Sequence, residues 1–427
     1  MVTSNISFVL VRFLLSAFLL SLLLVCSVKE TYGFEERECL THTFQLSSLF
    51  ASSVCNHSTK ANERVSTFKI VDKYGPCFQP NRQRAVYPSH TDILRSDRAP
   101  IKSIHARLSM DSGLRRDMIE IKSASIPAKD GASFRTSNFF VTVGFGTPKK
   151  DLSLEPMFDR TKSSTYVTVP TTNKVCKYVR RDGSVSTGFF SKETLTLSSS
   201  NNINGFLFVG CPPCEGTHPT QTAQKHNKIF SYCLPSSASL TGYLTLGSQS
   251  LLSNIKYTKI VAHKSPYYDL DLVGIGLAGK KLNIAESIFT KPGTIIDLGT
   301  VFTYLPPQAY PTFRTAFRQV MSAYLIAAAH PGDDLDTCYD FSKSSTVIVP
   351  KINFFFRDGT VVGMPRKLSL VTYTKTQVCL GFAPYEPGDD EIIIGNQAQR
   401  TMEIVYDLLE KGQGLLLMVV THYYQEK

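Results

Sequence analysis

The chain has 427 residues, 42% of them hydrophobic and only 19% charged, which is enough apolar material for a large core and more than one domain. The net charge of +11 is spread along the chain, with no long Lys/Arg run and no aromatic–basic platform, which argues against nucleic-acid binding and leaves a solvated basic surface. Tyr and Phe are plentiful, Trp is absent, and Gly and Pro recur throughout, which points to a β-rich globular protein rather than a helical bundle or a disordered chain.

In chain order, Arg12 is followed by an apolar run from Phe13 to Val28 and then by small and polar residues ending at Gly33. This reads as a signal peptide over 1–33, the run being shorter than the ~20 residues a membrane span needs. The expected location is the secretory pathway and then the extracellular space, apoplast or vacuole, where cysteines oxidise. Residues 34–125 are polar and basic, and they read as a propeptide-like segment. Within them Ile93, Leu94, Ile101, Ile104 and Leu108 have rough helical spacing, interrupted by Pro100, with Arg95, Arg98, Lys102 and Arg107 alongside. Such a basic segment can lie over an acidic cleft and pair its carboxylates until low pH protonates them. Asn56-His57-Ser58 is a glycosylation acceptor.

From Asn138 the pattern changes to short strands punctuated by Gly, Pro, Asn and Ser. Candidates are Phe139–Phe145, Leu195–Leu197, Phe206–Val209, Ile229–Cys233, Tyr243–Leu246, Ile255–Ile260, Leu270–Ile275, Thr294–Ile296, Ile352–Phe356, Val378–Phe382, Ile392–Ile394 and Met402–Tyr406. One helix is expected after Pro306-Pro307, with Tyr310, Phe313, Phe317, Val320, Met321 and Tyr324 as its apolar stripe and Arg314, Arg318 and Gln319 facing out.

Chemistry concentrates in Thr294-Ile295-Ile296-Asp297-Leu298-Gly299-Thr300. A buried apolar strand there ends in an Asp, and Gly299 permits a tight turn with close backbone approach. Ile392-Ile393-Ile394-Gly395-Asn396 has the same character, an apolar strand ending in Gly. Ten cysteines in a secreted chain read first as disulfide partners. Cys211-Pro212-Pro213-Cys214 lacks the second ligand pair that zinc needs and the βαβ context of a redox site. The nine histidines show no metal spacing, so no metal and no cofactor is expected.

These motifs carry a resemblance. Thr294 to Pro307 (TIIDLGTVFTYLPP) is similar to the second active-site loop of the pepsin-like aspartic proteases, in their plant nepenthesin-like branch. Asn138 to Leu154, Val209-Gly210-Cys211, Lys228 to Ser236, Gly242 to Gly247, Asp336-Thr337-Cys338, Gln377 to Leu380 and Val405-Tyr406-Asp407 match in order, and Val65 to Cys77 resembles the same branch. The resemblance implies two β-lobes with a cleft between them, each lobe supplying one aspartate. The two aspartates share a proton, one activating water and the other protonating the scissile carbonyl. It also implies a disulfide between Cys338 and Cys379 and makes one between Cys211 and Cys233 plausible; Cys176 is left free or bonded to Cys214.

The chain departs from that pattern in its first lobe. Leu154 runs directly into Glu155-Pro156-Met157-Phe158-Asp159, so the first Asp loop and the cysteine-rich stretch after it are missing. Arg180 and Arg181 stand where Tyr-Gly would precede Asp182, so Tyr178 is not the expected flap tyrosine. A third gap follows Cys211. Leu298 replaces a hydroxyl that would bond across the lobes, and the tail from Leu408 to Lys427 follows the family's closing strand poorly. Among substitutes, Asp111-Ser112-Gly113 lacks a preceding strand, Asp159 lacks the glycine, and Glu155 is the least implausible.

The expectation is therefore a mainly β, bilobal pepsin-like fold: an incomplete N-terminal β-lobe over 126–261 and a C-terminal β-lobe over 262–427. The implied function is acid-pH peptide-bond hydrolysis, impaired because only Asp297 remains, supported by Gly299 and Thr300. The alternatives are a non-catalytic pepsin-like binding or inhibitor protein and a truncated protease product. The cleft's partner is a polypeptide substrate or protein ligand, and the chain is expected to be monomeric, with no nucleic acid and no stable membrane anchor.

Overall fold

A computed structural model describes residues 41–50, 52–56, 67–78, 89, 91–98, 101, 139–152, 160–168, 176–179, 185–188, 190–198, 201–209, 229–247, 256–261, 269–290, 293–329, 335–385, 391–407 and 415–420. The architecture is mainly β. One continuous path of paired strands carries the chain, and its middle holds the strands that join the two ends of the sequence. Lys256–Val261 pairs with Leu415–Val420, which pairs with Met402–Asp407; next come Ile229–Cys233, Thr241–Leu246, Thr67–Asp72 and Phe139–Phe145. The tail expected to depart from the family's closing strand thus contributes Leu415–Val420 to the middle of the sheet.

The strand Thr67–Asp72 shows why the sequence before the body is not a mere appendage. It lies antiparallel between Thr241–Leu246 and Phe139–Phe145. Phe68, Ile70 and Val71 are buried, and so is Asp72, whose carboxylate lies 3.6 Å from the Arg400 guanidinium and accepts the Tyr74 N–H at 2.9 Å. Burial pushes the Asp72 carboxyl up, while Arg400 and the Tyr74 bond oppose that rise. Thr41–Gln45 pairs with Thr346–Pro350, and a disulfide joins Cys55 to Cys77.

The expected helix forms over Tyr310–Val320, with Tyr310, Phe313 and Phe317 buried in the larger core. Phe313 packs against Phe382 at 4.8 Å between ring centroids. Val320 lies outside the buried stripe and is 45% exposed. Arg314 and Arg318 do not simply face water: Arg314 pairs with the Asp336 carboxylate, and Arg318 donates to the Asp336 carbonyl at 2.6 Å. Spacing of four residues puts Tyr310, Arg314 and Arg318 on one face, and all three converge on residues 336–337. Burial pushes the Asp336 carboxyl up, but bonds from Tyr310, Arg314 and Thr337 outweigh it and hold it below the ordinary carboxylate range.

A second, smaller core gathers Ile295, Val301, Phe302, Tyr304, Leu335, Val371 and Ile393 around the Cys338–Cys379 disulfide. Ile93, Leu94 and Ile101 from the segment before the body belong to it. The helical residues 91–98 begin at Ser89, whose hydroxyl accepts the Asp92 N–H at 3.2 Å and donates to its carboxylate at 2.6 Å, a reciprocal cap. Ile104 and Leu108 lie outside the described residues. No helix among the described residues is long and apolar enough to cross a membrane.

Candidate active site

Thr294, Ile295 and Ile296 are all buried, and their strand runs parallel to Ile392–Ile394. The pairing continues one residue further, where the Asp297 N–H donates to the Ile394 carbonyl at 3.1 Å. Asp297 is thereby held at the end of a rigid element, with its side chain half-buried. The buried Thr300 hydroxyl donates to Asp297 Oδ2 at 2.7 Å. A Cβ on Gly299 would stand 3.2 Å from the same oxygen, so the glycine lets the carboxylate lie close over the turn. Leu298 packs partly buried against the larger core. An apolar side chain seated there offers no hydroxyl to an opposing loop.

The residues after Gly395 support this loop. The Asn396 amide N–H donates to the Thr300 carbonyl at 2.8 Å, and its side chain donates to the Leu298 carbonyl at 3.1 Å. Gln399 Nε2 donates to the Asp297 carbonyl at 3.1 Å and to the Ile394 carbonyl at 2.9 Å. Gln399 Oε1 in turn accepts the Tyr232 hydroxyl at 2.6 Å. Sequence reasoning did not assign roles to Tyr232 or Gln399; the signal was a pair of amides, Asn396 and Gln399, after an apolar strand, both of which are fully buried. Tyr232→Phe leaves Gln399 Oε1 buried without its donor, and the expected loss is about 1–3 kcal/mol. A urea titration checks it, a shift below the measurement error speaking against the bond.

A further carboxylate meets this loop from the segment before the body. Asp97 is 1% exposed. It accepts the Val301 N–H at 3.0 Å, the Phe302 N–H at 3.1 Å and the Tyr304 hydroxyl at 3.4 Å. The expected contact between this segment and the site was a basic one; among the described residues it is the acidic Asp97 that meets the loop. Burial pushes the Asp97 carboxyl up to about 7; the bonds from Val301, Phe302 and Tyr304 oppose the rise, and the neighbouring Asp297 charge adds to it.

The other residues singled out fall as follows. Cys338 and Cys379 form a disulfide between directly opposed positions of neighbouring strands. Cys233 is buried, with its sulfur 3.8 Å from the Leu234 carbonyl, while Cys211, Cys214, Glu155, Asp159 and Asp111 lie outside the described residues. Asn56 is exposed, and its backbone N–H donates to the Ser239 carbonyl at 2.8 Å. Cys176–Val179 and Val185–Gly188 form a two-stranded hairpin that includes position 178. No cluster of three or more His, Cys, Asp or Glu residues suited to a metal is found among the described residues.

Comparison with known proteins places these features in context. The family described as xylanase inhibitor C-terminal matches residues 267–413, which include the Asp297 loop. An aspartyl protease family protein of Arabidopsis thaliana is 37% identical over 440 aligned positions, covering 88% of this chain and 92% of that protein. Aspartic proteinase nepenthesin-2 of Nepenthes gracilis is 26% identical, covering 74% of this chain and 82% of its own. Among solved structures, basic 7S globulin from soybean superposes with a TM-score of 0.52 at 14% identity, over 66% of this chain and 91% of the globulin, a likeness of fold.

Proposed function

The chain belongs to the plant aspartyl protease family, in its nepenthesin-like branch, and from that premise we propose that it is a secreted pepsin-type protein whose cleft takes polypeptide but whose acid-pH hydrolysis is impaired. The observation that carries the proposal is the Asp297 loop. Its carboxylate is held by Thr300 and its strand is braced by Ile394, while the sequence offers no second Asp loop after Leu154. One carboxylate cannot be both the base that activates water and the acid that protonates the leaving group. The packing of Leu298 against the core, where it offers no hydroxyl, supports the proposal.

We read residues 1–33 as a signal peptide, 34–125 as the propeptide-like segment, 126–261 as the reduced N-terminal lobe and 262–427 as the C-terminal lobe, in a monomeric protein of the apoplast or vacuole. The second reading is a protein that holds a polypeptide without cutting it. It is favoured by the match of residues 267–413 to a family named for inhibition.

The test is cleavage of an unfolded protein at acid pH by the purified secreted chain, beside an Asp297→Ala variant. Loss of one member of a catalytic set lowers rates by ~10³-fold or more, so neither protein is expected to cleave above background. Cleavage by the parent and not by the variant would overturn the proposal and direct attention to Glu155 as the second carboxylate.

A further inference from the structure

We propose that the face beside the Asp297 loop carries a carboxyl-binding site, formed by the backbone N–H groups of Val301 and Phe302 with the Tyr304 hydroxyl, and that Asp97 latches the helical segment 91–98 into it. The inference does not depend on whether the cleft cuts peptides or only holds them.

Ile93, Leu94, Asp97 and Ile101 have the spacing of a single helix face. The three aliphatic residues are buried in the smaller core with Val301, Tyr304, Leu335, Val371 and Tyr385. A carboxylate in the middle of an apolar stripe is costly unless its oxygens find donors. Here they do: Oδ1 takes the Val301 N–H, and Oδ2 takes the Phe302 N–H and the more distant Tyr304 hydroxyl. Three consecutive residues therefore bind two carboxyl groups, Thr300 holding Asp297 while Val301 and Phe302 hold Asp97. The ligand class that the site reads is an acidic side chain on a helix, with aliphatic residues three and four positions before it and four after it.

The titratable groups facing Asp97 are Asp297 on the loop and Tyr304 on the following strand, with Tyr385 stacked on Tyr304 at 5.4 Å. Cys338 and Cys379 are bonded to each other and do not titrate. On the helix itself Asp92, Arg95 and Arg98 are exposed, and Arg95 bonds Asp92 at 3.2 Å. Burial raises the docked Asp97 above the ordinary 3.8 to about 7. A raised carboxyl means that the docked state binds the proton more tightly than the released one. The contribution to docking is then complete below about pH 3.8 and is lost as pH rises through about 7. Acidification tightens this latch, the opposite of a basic segment released when cleft carboxylates are protonated.

Amide hydrogen exchange on the full-length chain, normalised to intrinsic rates, tests both parts. In the parent, Val301 and Phe302 are expected to be protected at pH 5 and at least about tenfold less so at pH 8. In Asp97→Ala the two amides exchange at least about tenfold faster at pH 5 while Ile392–Ile394 stay protected. In Asp97→Asn, which cannot ionise, keeps one acceptor oxygen and serves if the alanine variant fails to fold, the amide that faces that oxygen stays protected and its protection no longer falls between pH 5 and 8. Val301 and Phe302 as slow in Asp97→Ala as in the parent would overturn the site. The parent's pH trend persisting in Asp97→Asn would overturn Asp97 as the group that sets the latch.

Discussion

Replacing Cys338 and Cys379 together by alanine is expected to lower the stability of the protein by about 4 kcal/mol, the amount that the chain-entropy description assigns to a closed loop of this length. The two cysteines are 41 residues apart in sequence and face each other across neighbouring antiparallel strands. Both are fully buried, so the replacement also removes sulfur atoms from the middle of the smaller core. That core includes Ile93 and Leu94, so the helical segment 91–98 should loosen with it. Urea unfolding with and without reductant measures the effect. A loss under about 1 kcal/mol would mean that the unfolded chain is already compact around these strands. The Cys55–Cys77 bridge closes a shorter loop of 22 residues, and its removal should cost less, about 3 kcal/mol on the same description.

Gly395→Ala is expected to cost at least about 3 kcal/mol, the upper end of what overpacking does in a close-packed interior. The backbone at Gly395 is ordinary extended chain (φ −73°, ψ 169°), so the cause is space and not conformation. A Cβ there would lie 2.0 Å from the Phe302 carbonyl oxygen and 2.6 Å from that of Val301. Both are backbone atoms and cannot rotate away. Either the Ile392–Ile394 strand or the segment 301–302 must shift, and the shift would disturb the Asn396 and Gln399 bonds that hold the Asp297 loop, as well as the donors to Asp97. The result to look for is a destabilised protein in which amides 297–302 lose protection before the rest of the fold. A near-neutral Gly395→Ala would show that the two strands are not as closely packed as described. Gly299→Ala is expected to be milder, because the atom nearest its Cβ would be an Asp297 side-chain oxygen, at 3.2 Å.

The elements that were legible in the sequence are those whose signal is local. Thr294–Ile296 and Ile392–Ile394 are short apolar runs closed by Asp and Gly, and they form the two parallel strands that present Asp297. The helix after Pro306-Pro307 starts where a fixed backbone and a hydrophobic stripe say it should. Less legible was Thr67–Asp72. Its alternation is broken by Val71 directly after Ile70, and its buried Asp72 reads as a surface residue until Arg400, more than 300 positions away, stands beside it. Arg314 and Arg318 read as solvent-facing for the same reason, their partner lying on another element.

The sequence by itself determined the class of fold, the family and the strand–Asp–Gly loop at Asp297 with Leu298 in it. Each of these is written in the order and type of neighbouring residues, where apolar spacing and turn chemistry act over a few positions. Only the tertiary structure decided that Leu298 turns into the core, that Tyr232 and Gln399 brace the loop, and that Asp97 is drawn into the smaller core against Val301 and Phe302. A buried polar group is stable only where its donors are, and here those donors are backbone groups that no side-chain pattern encodes.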